Sequence, residues 1–165
     1  MDGVDGHIKG NPHTPLTLWV ISDYDCYSCK ELHHVIDSVY EQYRDKIQYA
    51  TVFFSEEVTQ AAIAAECAAL QGKYWEMQKY LYECNMPGDL KLYMQAADSL
   101  QLDTVRFKRD FNNPAVYDAI NKNINLLHER KVFGTPTVVI GNKMYVEISS
   151  TQHLSQLIDK QLKKR

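Results

Sequence analysis

The rhythm of apolar positions changes several times along the chain. Residues 16–21 (LTLWVI) form a short, nearly continuous apolar run, the pattern of a strand covered on both faces, and Ser22 and Asp23 stop it. From Cys29 the spacing turns to threes and fours: Cys29, Leu32, Val35, Ile36, Val39, Tyr40 and Tyr43 share one face of a helix. Residues 47–54 (IQYATVFF) return to the strand pattern. Strand, helix and strand at these lengths predict a βαβ unit, with parallel strands and a right-handed crossover.

From about residue 56 to 132 no strand pattern occurs. Alanines at 61, 62, 64, 65, 68 and 69 favour a helix, which Gly72 ends. Residues 74–83 form a second, Pro87-Gly88 a turn, and residues 90–100 a third. Asp103 suits the N-cap of a short fourth helix. Asn113 followed by Pro114 supplies a cap and a first-turn proline for a fifth, with Val116, Ile120, Ile124 and Leu127 as its apolar face. Two short runs, 137–140 (TVVI) and 143–146, then flank Gly141-Asn142, a hairpin signal. A last helix carries Leu154, Leu157, Ile158 and Leu162 on one face, with Ser149 or Ser150 as cap.

The expected class is α/β: one small mixed sheet, with a mostly helical insertion between the βαβ unit and the C-terminal hairpin and helix. The 165 residues, 45% of them hydrophobic, suffice for one compact domain over 1–165. Residues 1–15 are an N-terminal extension, and the insert covers approximately 56–131.

Charge narrows the partners. The net charge is -3 and the 18 Lys and Arg are scattered, apart from the tail Lys163, Lys164 and Arg165, so nucleic acid is not expected as a partner. No run approaches the roughly 20 apolar residues of a membrane span. The first fifteen residues are polar and lack the apolar core of a signal peptide, so the chain as it stands reads as soluble.

The chemistry concentrates in Cys26-Tyr27-Ser28-Cys29. Cys26 follows a buried strand and falls at the first turn of the next helix, where free N–H groups and the positive end of the helix dipole favour an anion. A thiolate there is stabilised, and the thiolate is the reactive form. Cys29, one turn on at the head of the apolar stripe, is expected to be shielded. An exposed thiol that attacks, backed by a buried one that resolves, is the arrangement for disulfide exchange. A metal site would need two more ligands. Cys67 and Cys84 lie at no ligand spacing from a histidine, and the adjacent His33 and His34 point in different directions on a helix, so no metal is expected. Two inert buried thiols are the remaining alternative.

Cys67 and Cys84 flank Gly72 unequally. In a helical hairpin turning there they would be offset by roughly 10 Å along the axis, whereas a disulfide wants Cα atoms within about 7 Å. A bridge is not expected. Farther on, Pro136 enters a strand within Phe133-Gly134-Thr135-Pro136-Thr137. A cis Thr135-Pro136 bond there would leave the preceding backbone groups free for an extended peptide. A trans proline at a strand start is the plain alternative.

On three stretches the chain resembles the DsbA-like branch of the thioredoxin superfamily, in the form with a helical insert. These are GNPHTPLTLWVISDYDCYSCK at 10–30, AAECAALQGKYWEMQKYLYE at 64–83 and FGTPTVVIGNKMY at 133–145. The resemblance implies a thioredoxin-like fold and thiol–disulfide exchange with cysteine-containing protein substrates, with oxidase, isomerase and reductase directions all open. It makes Cys26 the attacking thiol, Cys29 the resolving one, and Tyr27 and Ser28 the dipeptide that tunes them. It makes Pro136 a cis-proline facing the cysteines, with Thr135 pairing to substrate backbone. It implies no cofactor beyond the Cys26–Cys29 dithiol, a monomer, a membrane redox partner, and a periplasmic or extracytoplasmic place with signal or anchor outside this chain. A cytoplasmic place stays open. Tyr74, Trp75, Met77, Tyr80, Tyr82 and Met94 read as core, or in part as a substrate groove. A noncatalytic peptide-binding or chaperone module is the alternative, and a glutathione-linked transferase or isomerase the third. Two departures from the family pattern stand out. Relatives with VEFSDFQC carry a buried glutamate where this chain has Val20, so Asp23 or a water would have to take the Cys29 proton, or exchange is slower. Strongly oxidising relatives have Pro-His between the cysteines, where this chain has Tyr27-Ser28 with Asp25 alongside, which implies a less oxidising potential.

Overall fold

The computed structural model describes residues 1–84 and 88–164. Pro87 of the expected Pro87-Gly88 turn and Arg165 of the basic tail lie outside the described residues. The chain divides into two compact units, Met1–Phe54 with Leu127–Arg165, and Ser55–Leu126.

The first unit is built on a mixed sheet of β1 (His7–Lys9), β2 (Leu16–Ser22), β3 (Ile47–Phe53), β4 (Thr137–Ile140) and β5 (Lys143–Tyr145), in the order β1-β3-β2-β4-β5. β2 and β3 are parallel, as the βαβ pattern requires, and the other pairs are antiparallel. α1 (Tyr27–Tyr43) and α7 (Thr151–Leu162) pack on each other and against β3 and β4 respectively. The Tyr43 hydroxyl donates to Asp159 Oδ1 at 2.9 Å across that helix pair. Leu18, Ile21, Ile36, Ile47, Ile140 and Leu154 are fully buried and form the core. Each central strand faces apolar neighbours on both sides, which explains its nearly unbroken apolar run. Gly141 turns the hairpin at φ 64, a backbone region where only glycine sits without strain, and Ile140 pairs with Lys143 across it.

Five details differ from the expectation. The segment 1–15 contains a strand, β1, which pairs antiparallel with β3. Its three residues are too short for periodicity to register, and what holds it is nonlocal: the Lys9 ammonium lies 4.9 Å from the Tyr40 ring centroid and 5.1 Å from that of Tyr49. β2 runs on through Ser22, and β5 stops at Tyr145, short of Val146. α1 starts at Tyr27, so Cys26 is its N-cap and precedes the first turn. On α1, His33 is buried and Val35 only partly so. The contact between His33 Nε2 and Asp37 Oδ2, 3.3 Å, gives a partner to a polar group that hydropathy alone would send outward.

The second unit contains α2 (Gln60–Ala69), α3 (Tyr74–Glu83), α4 (Leu90–Ser99), α5 (Thr104–Phe111) and most of α6 (Pro114–Glu129). Buried alanines on α2 present little bulk, and α3, α4 and α5 all contact it. The caps act locally: Thr59, Asp89 and Asp103 side chains each accept a backbone N–H of the helix they open, and Asn113 accepts that of Ala115. Val116, Ile120 and Ile124 of α6 are buried. Asp110, buried, is held by Arg109 at 2.9 Å and Arg106 at 3.5 Å.

Candidate active site

Cys26 sits where a strand gives way to a helix. Its backbone is extended (φ -84, ψ 117), and its Sγ accepts the Cys29 N–H at 3.3 Å, serving as the sulfur counterpart of a Ser or Asp N-cap. The loop leading to it is pinned twice. Asp23 Oδ1 accepts the Asp25 N–H at 3.1 Å, and the Tyr24 ring stacks on Phe53 with centroids 5.9 Å apart. The Asp23 carboxylate expected as a stand-in for the missing acid thus engages the loop backbone. Tyr27 is 75% exposed and Ser28 is exposed, so the dipeptide between the cysteines faces solvent.

Cys29 is 2% exposed. Burial pushes its thiol up to about 11, and the hydrogen bond with Cys26 adds to this, while the Asp23 backbone and the Ser22 and Thr135 side chains oppose it by hydrogen bonding to the sulfur. Cys26 is the more open of the two thiols.

The segment 133–137 closes the other side. The Thr135-Pro136 peptide bond is cis. Thr137 Oγ1 donates to the Gly134 carbonyl at 2.7 Å, and Cys26 Sγ points at the Thr135 carbonyl oxygen at 3.6 Å. Residues more than a hundred positions apart in sequence therefore meet at one point, and Cys26, Cys29, Thr135 and Pro136 form a single cluster. A groove of about 650 Å³ runs from Tyr27, Leu32 and Val35 past Pro136 to Val146 and Ile148. A smaller one of about 340 Å³ lies beside it, lined by Phe133, Gly134, Pro136, Met144 and Val146. Phe133 and Val146 stand 84% and 70% exposed.

Sequence reasoning missed two contributors. Ser22 reads as the stop after a strand, yet it ends β2 buried with its side chain on the Cys29 sulfur. Strand parity holds the signal, since Ser22 lies two positions after Val20 and so on the same face. The apolar rim formed by Phe133 and Val146 is the other; an aromatic residue left in a Gly-Thr-Pro turn is its trace.

A family model described as Thioredoxin matches residues 3–160. Among curated proteins, a Na(+)/H(+) antiporter NhaA 1 of Mycolicibacterium gilvum (strain PYR-GCK) is 37% identical over 81 residues, 46% of this chain, and the match spans only 13% of the antiporter's length. Disulfide bond formation protein D of Bacillus subtilis (strain 168) is 22% identical over an alignment of 185 residues, covering 98% of this chain and 82% of that protein. Among solved structures, alpha-DsbA1 of Wolbachia pipientis superposes with a TM-score of 0.85 at 20% identity, covering 97% of this chain and 92% of the other.

Proposed function

The chain belongs to the thioredoxin family and has the DsbA-like form of its fold, and from that premise we propose that it is a thiol–disulfide oxidoreductase acting on cysteine-containing proteins. One observation carries the reading: a part-exposed thiol caps a helix, a buried thiol lies one turn behind it, and the Thr135 carbonyl and cis-Pro136 face the first.

In this reading Cys26 thiolate attacks a substrate disulfide. One substrate sulfur leaves as a thiolate and takes a proton from solvent, and Cys26 is left in a mixed disulfide with the other. Cys29 then loses its proton and attacks Cys26 Sγ. The mixed disulfide breaks, the second substrate sulfur leaves as a thiol, and the Cys26–Cys29 disulfide forms. Substrate is reduced and the dithiol oxidised by the same two electrons. Run backward from the oxidised pair, the steps introduce a disulfide into substrate. Thr135 holds substrate backbone, Tyr27 and Ser28 set the potential between the cysteines, and no cofactor beyond the dithiol takes part. The apolar grooves on either side of Pro136 suit an extended, unfolded segment.

A working place outside the cytoplasm, beside a membrane redox partner, belongs to the same proposal. Support comes from the relatives, a membrane antiporter and a disulfide bond formation protein. No helix among the described residues is long and apolar enough to cross a membrane. The test is insulin reduction and oxidation of a reduced dithiol peptide, each with wild type and with Cys26→Ser. Exchange by wild type and none by the variant is expected; exchange by both would move the chemistry elsewhere, and exchange by neither would favour a noncatalytic peptide-binding module.

A further inference from the structure

We propose that Ser22 is a further catalytic residue of the dithiol, its hydroxyl donating a hydrogen bond to the Cys29 sulfur whenever that sulfur carries charge. The inference rests on the proposed function and adds the group that makes its resolving step workable without a buried acid.

The geometry begins with strand parity. Val20 and Ser22 project from the same face of β2, and both are buried. Valine at position 20 has no group to take or share a proton. Ser22 is the last residue of the strand, its carbonyl oxygen accepts the Phe54 N–H at 3.0 Å, and its backbone is thereby fixed against β3. From there the chain turns through a pinned loop into α1, which brings Cys29 back over the end of β2. The pairing of Ile21 with Thr137 sets Ser22 beside cis-Pro136 at the end of the β2–β4 ladder, where Cys26 Sγ lies 3.6 Å from the Thr135 carbonyl and 3.3 Å from the Cys29 nitrogen. There the Ser22 side chain meets the Cys29 sulfur alongside the Thr135 side chain and the Asp23 backbone. The titratable groups facing Cys29 are Cys26 and Asp23, the latter through its backbone, with its carboxylate bonded to the Asp25 N–H.

A hydroxyl in this position is a donor to an anion, as oxyanion-hole donors are. It keeps its own proton throughout. In the resolving direction the Cys29 proton passes to solvent, the hydroxyl stabilises the thiolate that remains, and the S–S bond forms as the substrate thiol leaves. In the reverse direction substrate thiolate attacks Cys26 Sγ, the Cys26–Cys29 bond breaks, and Cys29 departs with the electron pair toward the same donor. One residue therefore lowers the barrier both ways. Thr135 also touches the substrate side of the site, so Ser22 is the cleaner one to remove.

The experiment compares Ser22→Thr with Ser22→Val, which match in shape and differ in one hydroxyl, and adds Ser22→Ala for the case where the valine perturbs packing. Reduced protein is mixed with a peptide disulfide and acid-quenched, and formation and decay of the Cys26 mixed disulfide are followed from pH 6 to 10. The ratio of decay to formation near neutral pH should fall about tenfold in the Val and Ala variants, with the decay profile moved up by about one pH unit, and should recover in the Thr variant. An unchanged ratio in Val and Ala, or an equal loss in Thr, overturns the role of Ser22 alone. Failure of wild type to form the mixed disulfide overturns the proposed function, and this inference with it.

Discussion

Cys29 and Cys67 are both buried thiols on helices, and burial pushes both up, to about 11 and about 12. Their neighbours differ. Cys67 sits inside α2, and the charges of Asp110 and Glu66 add to the cost of ionising it. Cys29 has a backbone group and two side chains aimed at the sulfur. A low dielectric makes either thiol hard to ionise; only a set of donors already in place makes one of them usable once ionised. Position separates them as well, because Cys29 lies one turn behind an open thiol, whereas Cys67 lies buried within α2; all four cysteines are free thiols.

The contrast breaks most visibly on deletion. Cys26→Ser should abolish exchange in the insulin assay, while Cys67→Ala should leave it at the wild-type rate; loss in both would mean the second unit's thiol takes part. Cys29→Ser should leave attack possible and escape blocked, so mixed disulfides accumulate on non-reducing gels and dissolve with dithiothreitol. Val20→Glu should speed mixed-disulfide decay near neutral pH by about tenfold or more, as a positioned base does. It should also lower stability in urea by about 1–3 kcal/mol, because the new carboxylate is poorly solvated. Equal decay in rapid-quench records would show that the acid's absence has no consequence here.

A further effect, confined to alkaline solution, concerns pH. Cys67 titrates at 9.0 when unperturbed and at about 12 in the fold. Between those values the unfolded chain gives up a proton that the folded chain keeps, so this contribution is complete below 9 and is lost as pH rises toward 12. Wild type should therefore lose about 1 kcal/mol per pH unit in that window that Cys67→Ala retains, read from denaturant midpoints of the two proteins.

What could be read in the sequence was what depends on near neighbours. Asp103, Asn113 and Ser150 cap their helices through N–H groups two or three residues away, so composition alone marks them. Gly141 marks its hairpin the same way. The Cys26–Cys29 spacing is local too, and the cis bond at Thr135-Pro136 was expected from its motif. β1 escaped notice because three residues hold no period and their anchors, Tyr40 and Tyr49, come thirty and more positions later. His33 stood outside the apolar stripe because its contact with Asp37 is invisible to hydropathy. Ser22 looked like punctuation because its partner arrives only after the chain has turned back.

The sheet ends, on both sides, in strands of three residues. A protein proposed to handle unfolded chains meets sticky, extended polypeptide at close range, and a long bare strand at its border would be a template for that polypeptide to extend into a growing fibre. Lys9 on one border and Lys143 on the other leave too short and too charged a margin for such growth. In the proposed function this would confine clients to the loop that carries Thr135 and Pro136, where contact would last only as long as one sulfur–sulfur bond.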